Sequence, residues 1–164
     1  MLILGLVDEL SISCKNDVEL IHNIVEITKA VFKIRDKHIS DPRYMSVNVS
    51  EFLTKDFIKN LAKEINFEKA APWPSSSPGG DTVWLGATDA YGNTVSFIQS
   101  IYWEFGSGLV LPNTGITMQN RGVSFSLDLK NHNHLLPGRK PFHTIQPALA
   151  LFDDGRVMSY LSLI

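Results

Sequence analysis

The sequence has little of what marks disulfide-rich, membrane-spanning or nucleic-acid-binding proteins. Its 164 residues include one cysteine, Cys14, which excludes an internal disulfide and gives no metal-binding cysteine pattern. No apolar run approaches the ~20 residues that a membrane-spanning helix needs. The formal net charge is −2 with scattered basic residues, so we predict neither a nucleic acid nor a membrane as partner. A cytoplasmic protein is the default expectation.

The first half of the chain has the hydrophobic spacing of helices. Apolar residues recur at helical intervals over residues 17–37, and Asn16 or Asp17 can cap the start. A break is predicted at residues 40–44, because the position before Pro42 is pushed out of helical dihedrals. A second helix is predicted over residues 50–65.

The second half changes to the spacing of strands. Strong turn signals lie at Gly92-Asn93 and at Asp153-Asp154-Gly155, and each favours a hairpin. The predicted strands cover residues 82–88, which we expect to be buried, and residues 94–101, 109–111, 115–119, 147–152 and 156–160. Helices followed by strands predict an α+β fold.

The junction between the halves combines a linker with a hydroxyl residue. Residues 72–80 contain three prolines, three serines and two glycines, which predict an exposed linker. Thr82 then opens a strand. Self-cleavage before Thr82 would place a free α-amino group, with a pKa of about 7.7–8.0, beside the threonine hydroxyl as its base. From the junction alone, an ordinary interdomain linker is the favoured alternative.

A histidine pair is the main candidate for a metal site. His132 and His134 would lie on one side of a strand, but Asn131, Asn133 and Pro137 indicate a loop. No third ligand has useful spacing. We therefore predict solvated loop histidines, no metal and no cofactor.

The sequence resembles the gamma-glutamyltranspeptidase family closely over residues 82–160 and more loosely upstream. The upstream matches include His22, Glu26 and Lys29. The specific motifs, in family order and spacing, are Asp81-Thr82-Val83-Trp84, Asp89-x-x-Gly92-Asn93-x-Val95-Ser96, Phe105-Gly106-Ser107-Gly108, Thr114-Gly115-Ile116 and Pro137-Gly138-Arg139-Lys140-Pro141.

This resemblance implies an N-terminal-nucleophile hydrolase, made as a self-cleaving precursor. The chain would form part of an αββα sandwich, with the end of the large subunit in residues 1–81 and the start of the small catalytic subunit in 82–164. These two subunits of one precursor would be each other's partners, and a homo-oligomer is left open. Thr82 would be the nucleophile, Asp81–Thr82 the cleaved bond, and Ser100 the hydroxyl that contacts the nucleophile.

The substrate-binding positions depart from the family pattern. The resemblance places Tyr102, Arg121 and Ser124 where transpeptidases hold the substrate with an asparagine, a glutamine and an aspartate. His143-Thr144 replaces a pair of serines. A site that loses a carboxylate and gains an arginine suits a small anionic amide better than a glutamyl ammonium group. These variants resemble the oxamate amidohydrolase branch. Arg121 as a carboxylate anchor is our hypothesis, and a structural ion pair is the alternative.

The predicted function is therefore threonine-dependent hydrolysis of a small anionic amide such as oxamate. The alternatives are a gamma-glutamyl hydrolase or transferase acting on glutathione-type substrates, and a non-catalytic structural or interaction remnant. The resemblance also implies that an upstream substrate-binding arginine and a downstream glycine-rich oxyanion hole are missing. We expect a central fragment with crippled acyl transfer, since one lost oxyanion donor typically costs ~10²–10³ in rate. A signal peptide on a longer protein stays open.

Overall fold

The computed structural model describes residues 1–73 and 82–163. These residues form two compact units, one of residues 1–73 with 130–132 and the other of residues 82–129 with 133–163. Pro72 and Trp73 have no regular secondary structure, while the rest of the predicted linker and Asp81 lie outside the described residues. The assignment of residues 1–81 and 82–164 to two subunits stays a prediction, because the units are defined by contacts and not by cleavage.

The first unit is built from three helices, α1 (Leu2–Glu9), α2 (Asp17–His38) and α3 (Lys55–Lys63). The predicted helix at 17–37 is confirmed, and the Asn16 side chain caps it by accepting from the Glu19 N–H at 3.0 Å. Sequence reasoning assigned no element to α1. The core of this unit consists of Leu2, Leu6, Ile27 and Leu61.

The predicted helix at 50–65 is divided in the structure. A 3-10 helix at Val49–Leu53 precedes α3, and Thr54 lies between them in an extended conformation. The Thr54 hydroxyl accepts from the Phe57 N–H at 3.3 Å, which makes Thr54 the N-cap of α3. The apolar spacing was correct, but it did not reveal that a threonine would interrupt it. The predicted break before this region is confirmed by a 3-10 turn at Pro42–Tyr44.

The second unit contains two antiparallel hairpins. One pairs β1 (Val83–Thr88) with β2 (Thr94–Gln99), and the other pairs β3 (Ile145–Leu151) with β4 (Val157–Leu163). Both predicted hairpins are confirmed, and the α+β class with them. Contacts of β2 with both strands of the second hairpin bring the two hairpins together.

Two strand predictions need correction. The predicted strands at 109–111 and 115–119 are reduced to one isolated bridge, Val110 to Thr117, because Asn113 and Gly115 turn the chain with positive φ. Strand β1 is largely exposed rather than buried, and Leu85, for example, is 49% exposed. The apolar spacing predicted the strand correctly. It could not show that other described residues pack against only a small part of the strand's surface.

Among the described helices, none combines the length and the apolar character that crossing a membrane requires.

Candidate functional site

The first hairpin brings the two predicted hydroxyl residues to the same end of a strand pair. Val83, the first residue of β1, is paired with Gln99, the last residue of β2, and one further step of this register would set Thr82 opposite Ser100. Directly opposed residues in an antiparallel pair have Cβ atoms about 4.5–5.5 Å apart. Both residues are half-buried. The turn that follows Asp89 fixes this register, because its carboxylate accepts the N–H groups of Tyr91 and Asn93, each at 2.9 Å.

Tyr102 follows the hairpin in an unusual backbone conformation. Its φ is +83°, in a region that aromatic residues rarely adopt. The Tyr102 N–H donates to the Ser100 hydroxyl oxygen at 3.0 Å. Asn120 holds the neighbouring chain: its side-chain oxygen accepts from the Trp103 N–H at 3.1 Å, and its own N–H donates to the Ile101 carbonyl at 3.2 Å. These bonds join the end of the first hairpin to the segment that carries Arg121.

Arg121 is a buried cation with one nitrogen unsatisfied. The residue is 4% exposed and begins a 3-10 helix, Arg121–Ser124. Its Nη1 donates to the Thr144 hydroxyl at 3.2 Å, and its Cζ lies 5.3 Å from the centre of the Tyr102 ring. Its Nη2 is buried and has no hydrogen-bond partner among the described residues. No carboxylate in the described parts of the chain forms an ion pair with it.

Burial shifts the protonation of two groups at this site. Desolvation lowers the pKa of Arg121, although a guanidinium stays charged at any physiological pH. Burial also lowers the pKa of His143 from its usual value near 6.5, and the charge of Arg121 lowers it further. His143 is therefore mainly neutral at pH 7, so that Arg121 is the main source of positive charge in the site.

Ser124 ties two loops together through its hydroxyl. The hydroxyl lies 2.9 Å from the Arg121 carbonyl and 3.4 Å from the Phe142 carbonyl, and it donates toward both. Through this contact the 3-10 helix meets the segment that carries His143 and Thr144.

The structure thus brings most of the candidate residues into one connected network. Tyr102, Arg121, Ser124 and Thr144 are linked by the contacts above, Ser100 joins them through the Tyr102 N–H, and His143 lies within electrostatic range of Arg121. Thr82 is connected to this network only by its position next to the Val83–Gln99 pair, on the strand pair that ends at Ser100. Asp81 lies outside the described residues. Sequence reasoning missed Asn120, whose side chain fixes the Trp103 backbone. Its only signal was its place beside Arg121, which does not predict a contact 17 residues away.

The candidate metal pair is not brought together. The His132 Nε2 lies 3.3 Å from the Ile39 carbonyl, whereas the His134 Nδ1 lies 3.4 Å from the Arg139 guanidinium. The two residues belong to different units. Within residues 1–73 and 82–163, no group of three or more His, Cys, Asp or Glu side chains is arranged to hold a metal ion.

Comparison with known proteins supports the sequence resemblance. A family model described as Gamma-glutamyltranspeptidase matches residues 1–161. The chain is 51% identical over 161 residues to the oxamate amidohydrolase proenzyme of Klebsiella pneumoniae, covering 98% of this chain and 30% of that protein. It is 44% identical over 131 residues to the glutathione hydrolase-like YwrD proenzyme of Bacillus subtilis, covering 80% of this chain and 25% of that protein. The chain therefore spans less than a third of the length of these relatives.

A solved structure has the same fold over nearly the whole chain. The crystal structure of cephalosporin acylase from Bacillus halodurans matches with a TM-score of 0.82 and 39% identity, covering 96% of this chain and 29% of that one. This match confirms the predicted fold class, α+β and part of an N-terminal-nucleophile hydrolase sandwich. The relatives named as proenzymes are made as precursors.

Proposed function

The chain belongs to the gamma-glutamyltranspeptidase family, and from that premise we propose that it carries the nucleophile region of a threonine-dependent amide hydrolase. The proposed enzyme cleaves its own chain before Thr82. Its proposed substrate is a small anionic amide such as oxamate, which yields oxalate and ammonia. The observation that carries the proposal is the buried nitrogen of Arg121 that has no partner in the described parts of the chain. It lies in a network that reaches Ser100 and, by extension of the register, Thr82.

The self-cleavage step uses the Thr82 hydroxyl as nucleophile. The hydroxyl oxygen attacks the Asp81 carbonyl carbon, the peptide C–N bond breaks, and an ester replaces it. Water then hydrolyses the ester, which leaves a carboxylate on Asp81 and a free α-amino group on Thr82. That amine is a suitable base, because its ordinary pKa is about 7.7–8.0.

The substrate step repeats this chemistry on an external amide. The Thr82 amine takes the hydroxyl proton while the oxygen attacks the amide carbon, and the leaving nitrogen takes a proton and departs as ammonia. Water releases the resulting ester as the second carboxylate. Ser100, opposite Thr82, is proposed to hold the nucleophile by a hydrogen bond between the two hydroxyls.

The charge of the site favours an anion of small size. A buried guanidinium without a carboxylate partner gains most from a ligand that brings its own negative charge, and two-point contact with a carboxylate is the geometry that arginine prefers. Arg121 offers Nη2, and Nη1 keeps a second N–H besides the one that it donates to Thr144. Tyr102 and His143 contribute a ring and a mainly neutral imidazole beside it. In oxamate, the carboxylate is bonded directly to the amide carbon, so Arg121 and Thr82 would act on adjacent atoms.

The test compares two substrates and two products. Ammonia released from oxamate is measured against the aniline released from a gamma-glutamyl anilide, and the intact mass of the protein reports cleavage before Thr82. We expect ammonia release and a cut chain, both lost in Thr82→Ala. Arg121→Lys keeps the charge but not the planar fork, and we expect its KM for oxamate to rise at least ~10-fold.

Two other outcomes would overturn the proposal. Turnover of the anilide without turnover of oxamate would favour a gamma-glutamyl hydrolase or transferase, for which the similarity to the glutathione hydrolase-like proenzyme is the specific observation. An uncut chain with neither activity would favour a non-catalytic remnant.

A further inference from the structure

The backbone of Tyr102 has a strained conformation within the candidate site. Within residues 1–73 and 82–163, the non-glycine residues with positive φ are Ser11, Tyr102 and Asn113, and of these Tyr102 alone has an aromatic side chain. Such a conformation persists only when surrounding contacts hold it. Here they are the ring contacts with Trp103 and Arg121 and the hydrogen bond from the Trp103 N–H to Asn120. The strain is therefore built into the candidate site.

The positive φ lets the chain turn directly after the Tyr102 N–H, so that this N–H donates to Ser100 while the next one, of Trp103, donates to Asn120. The 3.0 Å hydrogen bond occupies one lone pair of the Ser100 hydroxyl oxygen. A serine hydroxyl has one hydrogen to donate and two lone pairs to accept with. Because the Tyr102 N–H occupies one lone pair of the Ser100 oxygen, the hydroxyl hydrogen and the second lone pair must point away from that N–H. Thr82 lies one position before the start of the opposite strand, whose first residue, Val83, pairs with Gln99.

We propose that Tyr102 is a positioning residue with two separable parts: its N–H, held in place by the left-handed turn that follows it, orients the Ser100 hydroxyl toward Thr82, and its ring closes one side of the Arg121 anion subsite. The backbone part acts on the reactivity of the nucleophile. The ring part acts on substrate affinity, because it lies along the guanidinium that would bind the carboxylate. This inference rests on the proposed function for its kinetic consequences, but its geometric basis is independent of any activity.

The kinetic test separates backbone from ring with two variants that both lose the ring. Tyr102→Gly adopts positive φ without steric cost, whereas Tyr102→Val strongly resists it. In both variants we expect the KM for oxamate to rise several-fold. We expect kcat to be at least ~10-fold lower in Tyr102→Val than in Tyr102→Gly, because only the valine displaces the N–H that holds Ser100. Equal kcat values in the two variants would overturn the backbone part, and an unchanged KM in both would overturn the ring part.

Asn113→Val is the matched control for backbone strain. Asn113 has φ +65° in a turn outside the candidate site, so valine there imposes the same kind of conflict. We expect Asn113→Val to lower the thermal midpoint as Tyr102→Val does, with no change in kcat. A comparable loss of kcat in Asn113→Val would mean that general destabilisation explains both, and it would overturn the proposal.

A second measurement tests the Tyr102 hydrogen bond without any turnover. In the wild-type protein, the Tyr102 amide proton should exchange slowly with solvent, as followed residue by residue by NMR. Ser100→Ala should accelerate this exchange at least ~10-fold, and Ser100→Thr, which restores a hydroxyl, should recover most of the protection. Exchange that is unaffected by Ser100→Ala overturns the inference even in a fully active enzyme. If the wild type releases no ammonia from oxamate, the proposed function fails, while this measurement still decides the role of the Tyr102 N–H.

Discussion

The two units of the molecule bury charge in different ways. In the helical unit the buried carboxylates have cationic partners: Glu26 lies 2.5 Å from Lys29, and Asp41 lies 2.7 Å from Arg43. In the hairpin unit, Arg121 is as buried as these groups, but it has no carboxylate partner among the described residues and one of its nitrogens is unsatisfied. Buried charges that are paired with each other have a structural role within the fold. An unpaired one is costly to stability and is better explained by a ligand.

The apolar residues differ between the units as well. Leu6 and Ile27 are completely buried in the helical unit, whereas Ile98 is the buried hydrophobic residue of the hairpin unit within the described chain. The helical unit therefore gains its stability mainly from an apolar core. The hairpin unit has a less developed core and a more developed polar network around Arg121.

Replacing Ile27 by alanine should have the largest effect on stability. Ile27 is 0% exposed and belongs to the core of the helical unit. Removing a buried side chain of this size leaves a cavity and lowers the free energy of unfolding by about 2–5 kcal/mol. Urea denaturation followed by far-UV circular dichroism measures the change. Ile27→Val, which removes one methylene, is the graded control at about 0.5–1.5 kcal/mol. A loss below that of the valine variant would show that this core contributes little.

The secondary structure of the two units and two residues of the candidate site could be predicted from the sequence. The contacts that build the site could not, because they join segments that are distant in the sequence. Apolar periodicity is local, so it revealed the helix at residues 17–37 and both hairpins. The motif resemblance singled out Thr82 and Arg121. It could not show that the Asn120 side chain would bind the Trp103 backbone, or that Tyr102 would have positive φ, because both depend on contacts between distant segments. The interruption at Thr54 was missed since a single capping residue barely disturbs an apolar pattern.

Glu26→Gln should destabilise the helical unit by about 1.5–3 kcal/mol, the range for a hydrogen bond to a charged group. The Glu26 carboxylate accepts from the Ala71 N–H at 3.1 Å, while Lys29 donates to the Ala71 carbonyl at 2.7 Å. The variant leaves the half-buried Lys29 cation without its counter-charge. Urea denaturation at pH 7 measures the loss. Glu19→Gln, at an exposed carboxylate of the same helix, is the control and should change the free energy of unfolding by less than about 0.5 kcal/mol.

The same pair predicts how stability depends on pH. Burial alone would raise the pKa of Glu26, but the hydrogen bonds from Lys29 and the Ala71 N–H outweigh it and lower that pKa below its usual value near 4.5. A carboxyl with a lowered folded-state pKa contributes stability above its unfolded pKa. That contribution disappears as the pH falls from about 4.5 through the folded-state value. The difference in stability between wild type and Glu26→Gln should therefore shrink below pH 4.5. A difference that is constant from pH 7 to pH 3 would contradict this role.

Arg121→Met should have a smaller effect on stability than Ile27→Ala or Glu26→Gln, and it thereby separates the two kinds of buried charge. The variant loses the hydrogen bond to Thr144 and the contact with the Tyr102 ring, but it also removes a desolvated cation with an unsatisfied nitrogen. These effects oppose each other, so we expect the free energy of unfolding to change by less than about 1 kcal/mol, in contrast to Glu26→Gln.

The decisive measurement for Arg121 adds a ligand to the same unfolding experiment. Oxalate, the product of the proposed reaction, should stabilise the wild-type protein by about 2.7 kcal/mol at a concentration one hundred times its Kd. It should stabilise Arg121→Met much less, since the proposed carboxylate anchor is absent, whereas Glu26→Gln should keep the full ligand effect from a lower starting stability. Equal stabilisation of wild type and Arg121→Met would mean that Arg121 does not bind the anion. In that case the difference between the units would lie in their packing alone, and the unsatisfied nitrogen would be a cost to stability without a ligand to offset it.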